Sequence, residues 1–387
     1  MHSFPSSSRL KQLPEQFFAD LVKRAASKED LINLGQGNPD QPTPVHIIEA
    51  VQQASAKPEH HKYSPFRGRR FLRKAAADFY EREYGVTLDP DTEIAVLPGA
   101  KTGLVELSLC LADPGDTVLL PDPGYPDYLS GTSLAGARTV MMPLQQKNRF
   151  LPDYGGLSKD NLDRARLMFL NYPNNPTGGC ADPSFFAETV TLARRHHICV
   201  CHDFAYGTIG FDGTKPPSFL ETPGAKETGI EIFTLSKAYN MAGWRIAFAA
   251  GNASVIEQLN LIQDHLFVSL PGAIQEAGAA ALNGSQDCTR SLTALYERRR
   301  DVLLAEAARI GWEIPPPKGS FFVWAPVPEG FTSASFTDLL LEKAGVMAAP
   351  GHGFGAHGEG WVRLGLVVSE EAIAEAMQRI DQLSLFS

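Results

Sequence analysis

From about residue 93, short apolar runs alternate with longer segments of mixed polarity. The short runs have the length of buried strands, whereas the segments between them carry apolar residues at helical spacing. The predicted strands are Ile94–Leu97, Thr117–Leu120, Thr139–Met142, Leu167–Leu170, Ile198–His202, Ile232–Leu235 and Ile246–Ala250. Helices are predicted between them, for example at Thr102–Leu111 and Pro183–Arg195. Strands interleaved with helices predict an α/β fold with a mostly parallel sheet that is covered on both faces.

The two ends of the chain have a different pattern. An amphipathic helix is predicted over residues 12–28, and Pro44 opens a second helix. Beyond about residue 285 a long helix comes before a mixture of shorter elements. These elements are the helices Thr289–Ile310, Ser335–Lys343 and Ser369–Leu383 and the strands Phe321–Ala325, Val346–Ala349 and Trp361–Leu366. We predict a large domain over residues 41–284, and a smaller α+β domain that combines residues 1–40 with 285–387.

Composition narrows the possible partners. The 387 residues include 44 acidic and 35 basic side chains, so the formal charge is 35 − 44 = −9. A negative protein is a poor partner for nucleic acid or an anionic membrane surface. No apolar run reaches the roughly 18 residues of a membrane span, and the polar start lacks the apolar core of a signal peptide. The five cysteines are scattered, so we expect no disulfide framework and a cytoplasmic location.

Polar residues follow three consecutive predicted strands, where α/β proteins build their sites. Asn175 follows the first of these strands, Asp203 and Tyr206 follow the second, and Lys237 follows the third, with Arg245 eight residues further on. A single lysine or arginine in such a loop is usually a solvated residue or half of an ion pair. The shared position of all these residues beyond strand ends favours a site instead.

Two other clusters are weaker candidates. The histidines and cysteines at 196–202 look like metal ligands, but Cys199 and Cys201 alternate within an apolar strand, and no second ligand pair has zinc-site spacing. We therefore expect no metal. The glycine-rich segment 351–358 lacks the strand and helix setting of a dinucleotide loop, so a loop near the mouth of the site is the better interpretation.

Four segments carry a family resemblance: DPGYPDY at 122–128, NYPNNPTG at 171–178, DFAY at 203–206 and TLSKAYNMAGWR at 234–245. Together they resemble the class I/II aminotransferases, which are fold-type I enzymes that use pyridoxal 5′-phosphate, and the resemblance extends over the whole chain. It implies that Lys237 holds the cofactor and moves the substrate proton. It also implies that Asp203 keeps the pyridine nitrogen protonated, while Asn175 and Tyr206 hydrogen-bond the ring oxygen.

The same resemblance implies the remaining contacts. The cofactor phosphate would meet the backbone amides of a helix N-terminus, two hydroxyls and a guanidinium, which belong to Ala100, Lys101, Thr234, Ser236 and Arg245. Tyr125 would stack on the ring, and Tyr63 would reach the phosphate of a neighbouring subunit, which implies a homodimer. Arg363 would clamp the substrate α-carboxylate, with Gly37 and Asn175 as further substrate contacts.

Within the family, the amino-acid sequence is similar to that of the methionine-salvage branch, including the segment LGQGNPDQPT at 34–43. This implies 4-methylthio-2-oxobutanoate as amino acceptor and glutamine as donor, with Phe17 and Phe18 as candidates for the side-chain pocket. The alternatives are an LL-diaminopimelate or aspartate/alanine-type aminotransferase, and a carbon–sulfur β-lyase on the same fold. Gln16 stands where the diaminopimelate enzymes carry a tyrosine, which counts against that substrate. A non-enzymatic regulator role is the alternative outside catalysis.

Overall fold

The computed structural model describes residues 4–14, 22–23, 28 and 30–386. Within these residues the strands, in chain order, are β1 (Ile32–Asn33), β2 (Ile94–Leu97), β3 (Thr117–Asp122), β4 (Arg138–Pro143), β5 (Ala165–Asn171), β6 (Cys199–Asp203), β7 (Gly229–Thr234), β8 (Ala247–Gly251), β9 (Phe322–Pro326), β10 (Val346–Met347), β11 (Ala349–Pro350) and β12 (Trp361–Gly365). The longer helices are Val45–Ser55, Arg70–Tyr84, Ala100–Leu111, Asp127–Ala135, Pro183–His196, Ala253–Leu266, Gly272–Asn283, Asp287–Arg309, Ser333–Leu339 and Glu370–Asp381.

A seven-stranded sheet forms the centre of the molecule, in the order β2-β8-β7-β6-β5-β3-β4. All neighbouring pairs run parallel except those made by β8, which is antiparallel to both β2 and β7. The predicted α/β fold with a mostly parallel sheet is therefore confirmed. One large apolar cluster lies on one face of this sheet and a second on the other, because successive strand residues point to opposite faces.

The register of the central strands brings three strand ends together. Asn171 at the end of β5 pairs with Asp203 at the end of β6, and Asp203 pairs with Ile232 near the end of β7. Because these strands are parallel, their carboxyl ends lie at one edge of the sheet. Residues that follow these strands, such as Asn175 and Lys237, therefore converge.

The last third of the chain builds a separate, smaller sheet. Strands β11, β12 and β9 form it with antiparallel pairing, while β1 pairs with β10 in parallel. Helices Asp287–Arg309 and Glu370–Asp381 share an apolar core with it, and this core includes Leu34 from the N-terminal part. The mixture of helices and antiparallel strands in this part of the chain confirms the predicted α+β architecture. The bounds of the two domains stay a prediction.

One predicted strand is divided in the structure, and one predicted helix falls largely on residues that the structure does not describe. The single strand expected at Val346–Ala349 is divided, because β10 pairs with β1 and the chain then turns at Ala348 to pair β11 with β12. The helix expected over residues 12–28 lies largely outside the described residues. Just before that range, the structure gives a short helix at Ser8–Lys11. Among the described residues, no helix combines the length and the apolar character needed to cross a membrane.

Candidate active site

A cavity of about 440 Å³ lies at the carboxyl ends of β5, β6 and β7. It is lined by Val22, Gly35, Gln36, Gly37, Asn38, Ala100, Lys101, Leu104, Tyr125, Asn171, Asn175, Asp203, Ala205, Tyr206, Thr234, Ser236, Lys237, Ala242, Arg245, Phe322, Met347 and Arg363. All the site residues selected from the sequence line this cavity except Tyr63. The strand ends, the N-terminal loop and the small sheet thus contribute to one enclosed space.

Asp203 is the last residue of β6 and is 5% exposed. Its Oδ2 accepts a hydrogen bond of 2.8 Å from the Tyr128 hydroxyl, whereas its buried Oδ1 has no hydrogen-bond partner. Burial raises the pKa of this carboxyl to about 6, and the Tyr128 hydrogen bond and the nearby His202 oppose that rise. A buried carboxylate oxygen without a partner needs a proton donor, such as a protonated ring nitrogen, to offset its desolvation.

Lys237 lies in the short helix Leu235–Ala238 that directly follows β7. Its Nζ donates a 2.8 Å hydrogen bond to the backbone oxygen of Gly37. Burial, together with the positive charges of Arg363 and Arg245, lowers the pKa of the amine to about 8, while Asp203 acts in the opposite direction. The amine is therefore easily made neutral, which is the form that attacks an aldehyde or accepts a proton.

Donor groups for an anion gather at one end of the cavity. Helix Ala100–Leu111 begins here, after Gly99 in a left-handed conformation (φ +96°). A Cβ at Gly99 would stand 2.3 Å from Nη2 of Arg245, so glycine is needed for the close approach of this guanidinium. Thr234 and Ser236 line the same space. The N-terminal amides of a helix, two hydroxyls and a guanidinium form a site suited to a phosphate group.

The side chain of Lys101 is engaged away from this anion site. Its Nζ forms a 2.9 Å ion pair with Asp127. Lys101 lies in the first turn of the helix and lines the cavity, and the expected contact of its backbone amide with a phosphate stays a prediction. Tyr125 lines the cavity close by, and its ring meets Tyr128 edge-on at 5.6 Å between centroids.

Arg363 lies on β12 and is 5% exposed. Its Nη1 donates to Oδ1 of Asn175 at 2.9 Å, and its Nη2 donates to the backbone oxygen of Gly35 at 2.8 Å. The guanidinium also packs against the rings of Phe322 and Phe354, at 4.0 and 4.7 Å from their centroids. Burial lowers its pKa to about 10, which still leaves it charged at neutral pH. A fixed, charged fork at the cavity wall suits a carboxylate ligand.

Tyr206 and Asn175 stand between the acid and the arginine. Tyr206 is buried, and it meets the Phe321 ring edge-on at 5.2 Å. Burial raises the pKa of its phenol, so the hydroxyl keeps its proton and is a donor. The Asn175 backbone amide donates to the Asn171 side chain at 2.7 Å. Asn171 in turn donates to the backbone oxygen of Asp203, also at 2.7 Å.

Several site residues escaped the sequence analysis. Tyr128 contacts Asp203, Asn171 connects two strand ends, and Phe354 packs on Arg363. Tyr128 could have been found, because it closes the segment DPGYPDY and lies in the first turn of the helix Asp127–Ala135 that follows Tyr125. Phe354 belongs to the glycine-rich segment 351–358, which forms two short 3₁₀ turns, and His357 there donates its backbone amide to Asp122.

Tyr63 lies apart from the cavity. Its side chain is 87% exposed and borders a separate apolar depression with Pro65, Phe66 and Val268. Its expected role at a neighbouring subunit stays a prediction. Phe17, Phe18 and Gln16 lie outside the described residues.

The histidine and cysteine cluster is divided between surface and interior, since His197 is exposed and His196 and Cys199 are partly buried. Cys201 and His202 are buried, and His202 is hydrogen-bonded through both ring nitrogens. In the part of the chain that the structure describes, no group of three or more histidine, cysteine or acidic side chains is arranged to hold a metal ion.

Residues 29–380 match the family described as aminotransferase class I and II. The chain belongs to this family, and it is an aminotransferase that depends on pyridoxal phosphate and acts on amino acids and 2-oxo acids. The site fits that cofactor, because Asp203 offers an unpartnered buried oxygen and the same cavity is lined by Thr234, Ser236 and Arg245 as anion donors.

Two relatives and one solved structure show which members of the family the chain resembles. It is 59% identical to the L-glutamine–4-(methylsulfanyl)-2-oxobutanoate aminotransferase of Bacillus subtilis, over 99% of this chain and 98% of that protein. It is 48% identical to the LL-diaminopimelate aminotransferase of Moorella thermoacetica, over 96% of each. The substrate-bound structure of BacF from Bacillus subtilis superposes with a TM-score of 0.96 at 47% identity, covering 99% of this chain and 98% of that one.

Proposed function

We propose that this aminotransferase transfers the amino group of glutamine to 4-methylthio-2-oxobutanoate, which yields methionine. The observation that carries the proposal is the combination of one carboxylate clamp with several apolar side chains on the cavity wall. Arg363 supplies the clamp, and Val22, Leu104, Phe322 and Met347 supply apolar surface. The similarity to the glutamine-dependent relative from Bacillus subtilis, over nearly the whole chain, supports the same substrates.

Charge distribution favours an uncharged substrate side chain. The cations that line the described part of the cavity are Lys101, Lys237, Arg245 and Arg363. Lys101 is paired with Asp127, and the other three have the amine, phosphate and α-carboxylate roles. This leaves no lining cation for the distal carboxylate of an aspartate-type or diaminopimelate substrate. A flexible thioether chain needs none.

We assign four polar residues of the cavity roles in the reaction itself. When bound, pyridoxal phosphate supplies an electron sink for a carbanion at the substrate Cα. Asp203 holds a proton on the ring nitrogen through its unpartnered Oδ1, while Tyr206 and Asn175 donate hydrogen bonds to the ring oxygen. Lys237 anchors the cofactor and then carries the proton to and from Cα, for which a pKa of about 8 is well suited.

The binding roles complete the assignment. Ala100, Lys101, Thr234, Ser236 and Arg245 bind the phosphate, and Tyr125 stacks on the ring. Arg363 and Gly37 orient the substrate. We further propose a cytoplasmic homodimer in which Tyr63 reaches the partner's phosphate, and the two domains predicted above. The exposed apolar surface around Tyr63 supports this interface.

Removal of the Lys237 amine tests the assignment most directly. In Lys237→Ala we expect no visible absorbance from covalently held cofactor and no half-reaction with glutamine. Lys74→Ala is a suitable control, because Lys74 is exposed and is paired with Asp78 on a distant helix. Normal turnover by the Lys237 variant would end the proposal.

A panel of acceptors tests the substrate. With glutamine as donor, we expect the highest kcat/KM for 4-methylthio-2-oxobutanoate and lower values for 2-oxoglutarate and tetrahydrodipicolinate. A preference for tetrahydrodipicolinate would favour the diaminopimelate reaction, which the Moorella thermoacetica relative makes the second candidate. Release of pyruvate and ammonia from cystathionine without any acceptor would favour a β-lyase.

A further inference from the structure

A second pair of ionisable side chains lies on the same strands as the site, on the opposite face of the sheet. His202 and Glu231 are register partners on β6 and β7, and both are completely buried. His202 directly precedes Asp203, so the alternation of a strand points the Asp203 side chain to the cavity and the His202 side chain away from it. The reaction assigned above uses neither residue of this pair.

Glu231 is held by four donors from three different parts of the chain. Its carboxylate accepts from Tyr80 Oη at 2.9 Å, from Ser218 Oγ at 2.6 Å, from the Phe219 backbone amide at 2.5 Å and from His202 Nδ1 at 2.6 Å. Both oxygens are therefore saturated, as an ionised carboxylate requires in a dry interior. Such a complete shell fixes the position of Glu231 and, through it, the orientation of the His202 ring.

The other edge of the His202 ring reaches the loop that carries Asn175. Its Nε2 lies 3.0 Å from the backbone oxygen of Tyr172 and 3.2 Å from the Tyr172 backbone nitrogen. A neutral ring accepts from that N–H, and a cationic ring donates to that carbonyl, so the Tyr172 peptide is held in either form. Asn175, three residues further on, contacts Arg363.

Aromatic packing leaves the ring little freedom to turn. The Phe186 ring lies 5.1 Å from the His202 ring between centroids, and the Phe204 ring lies 5.0 Å from it. The pair therefore acts on the site through the hydrogen bonds and the packing that hold this ring.

We propose that His202 and Glu231 are positioning residues of the active site, which fix the Tyr172–Asn175 loop from behind the sheet. This inference rests on the proposed function, since it assigns Asp203 and Asn175 to the cofactor. It adds that cofactor binding depends on the hydrogen bonds of His202, which lie on the face of the sheet opposite the cofactor site.

The test uses three substitutions at position 202. His202→Phe keeps an aromatic of similar volume and removes both hydrogen bonds, whereas His202→Gln retains an amide that can reach the Tyr172 peptide. We expect His202→Phe to weaken pyridoxal phosphate binding by the apoprotein at least tenfold, measured by fluorescence titration. KM for glutamine should rise by a similar factor, with a smaller change in kcat. His202→Gln should recover binding to within about threefold, and His202→Asn, which reaches only Glu231, should not.

Phe186→Leu is the matched control, because it perturbs the packing around the same ring and removes no hydrogen bond. It should lower the urea midpoint and leave cofactor affinity and KM unchanged. Wild-type cofactor affinity in His202→Phe, or losses in Phe186→Leu that equal those of His202→Phe at the same loss of stability, would overturn the inference. The Lys237→Ala spectrum tests the proposed function separately, so failure of one is distinguishable from failure of the other.

Discussion

Two buried carboxylates on neighbouring strands differ in how completely the protein satisfies them. Glu231 on β7 is surrounded by four donors, while Asp203 on β6 accepts the Tyr128 hydroxyl on one oxygen and has no hydrogen-bond partner on the other. A saturated buried acid contributes to the structure itself, since its desolvation is already offset. An unsaturated one indicates that a further group belongs there. The comparison distinguishes supporting residues from residues that meet a ligand.

The largest test of this comparison is the removal of each acid from the apoprotein. Glu231→Ala leaves four buried donors, among them the His202 ring, without their acceptor, so we expect it to lower the free energy of unfolding by about 3–5 kcal/mol. Asp203→Ala removes a carboxylate whose desolvation is only partly offset by hydrogen bonds. Its free energy of unfolding should therefore stay within about 1 kcal/mol of the wild-type value. Urea unfolding of the two apoproteins measures both values. Equal destabilisation by the two substitutions would break the comparison.

A smaller effect is expected in the pH dependence of stability. The pKa of Asp203 is raised from 3.8 in its ordinary state to about 6 in the fold, so its contribution to stability is complete below pH 4 and is lost as the pH rises through 6. Asp203→Asn should therefore gain relative to wild type across this window, by up to about 3 kcal/mol for a shift of about two pH units. Unfolding curves at pH 4, 5, 6 and 7 measure the gain.

The control for the pH experiment is Asp264→Asn, since Asp264 is exposed on helix Ala253–Leu266. Its stability relative to wild type should not change with pH over the same range. A pH-independent difference for Asp203→Asn would contradict the assignment of a raised pKa.

The smallest test compares the tyrosines that serve the two acids. Tyr128→Phe removes the donor to Asp203 and should weaken cofactor binding about fivefold, the equivalent of about 1 kcal/mol. Tyr80→Phe removes one of the four donors to Glu231 and should cost about 1 kcal/mol of stability with cofactor affinity unchanged. Cofactor titration and urea unfolding of both variants separate the outcomes. An exchange of the two effects would reverse the assignment of the acids.

Local patterns predicted the central sheet well. The strand Ile94–Leu97 has the predicted bounds, and the other central strands lie within a few residues of theirs. Periodicity alone could not foresee that β8 runs antiparallel, because direction depends on how the chain returns between strands. Leu235, which continues an apolar run, was assigned to a strand, but it opens the short helix that carries Lys237.

The site was predicted from motifs rather than from contacts. Residues that follow strands, such as Asp203 and Lys237, could be selected from the sequence because parallel strands bring their ends together. The His202–Glu231 pair could not, since it depends on the register of β6 against β7. His202 was even considered with a metal cluster, because its neighbours in sequence are cysteines. Contacts across strands require the register, and no single segment contains it.

The loop at residues 35–40 receives cations from three directions. Lys237 donates to Gly37, Arg363 donates to Gly35, and Arg299 of the long helix grips Asp40 with two hydrogen bonds of 2.8 and 2.7 Å. A single short segment is thus the common partner of the Lys237 amine, of the Arg363 guanidinium and of the helix Asp287–Arg309. Any displacement of residues 35–40 would disturb all three contacts at once. Chemistry at the Lys237 amine and movement of the helix Asp287–Arg309 are therefore coupled through this segment.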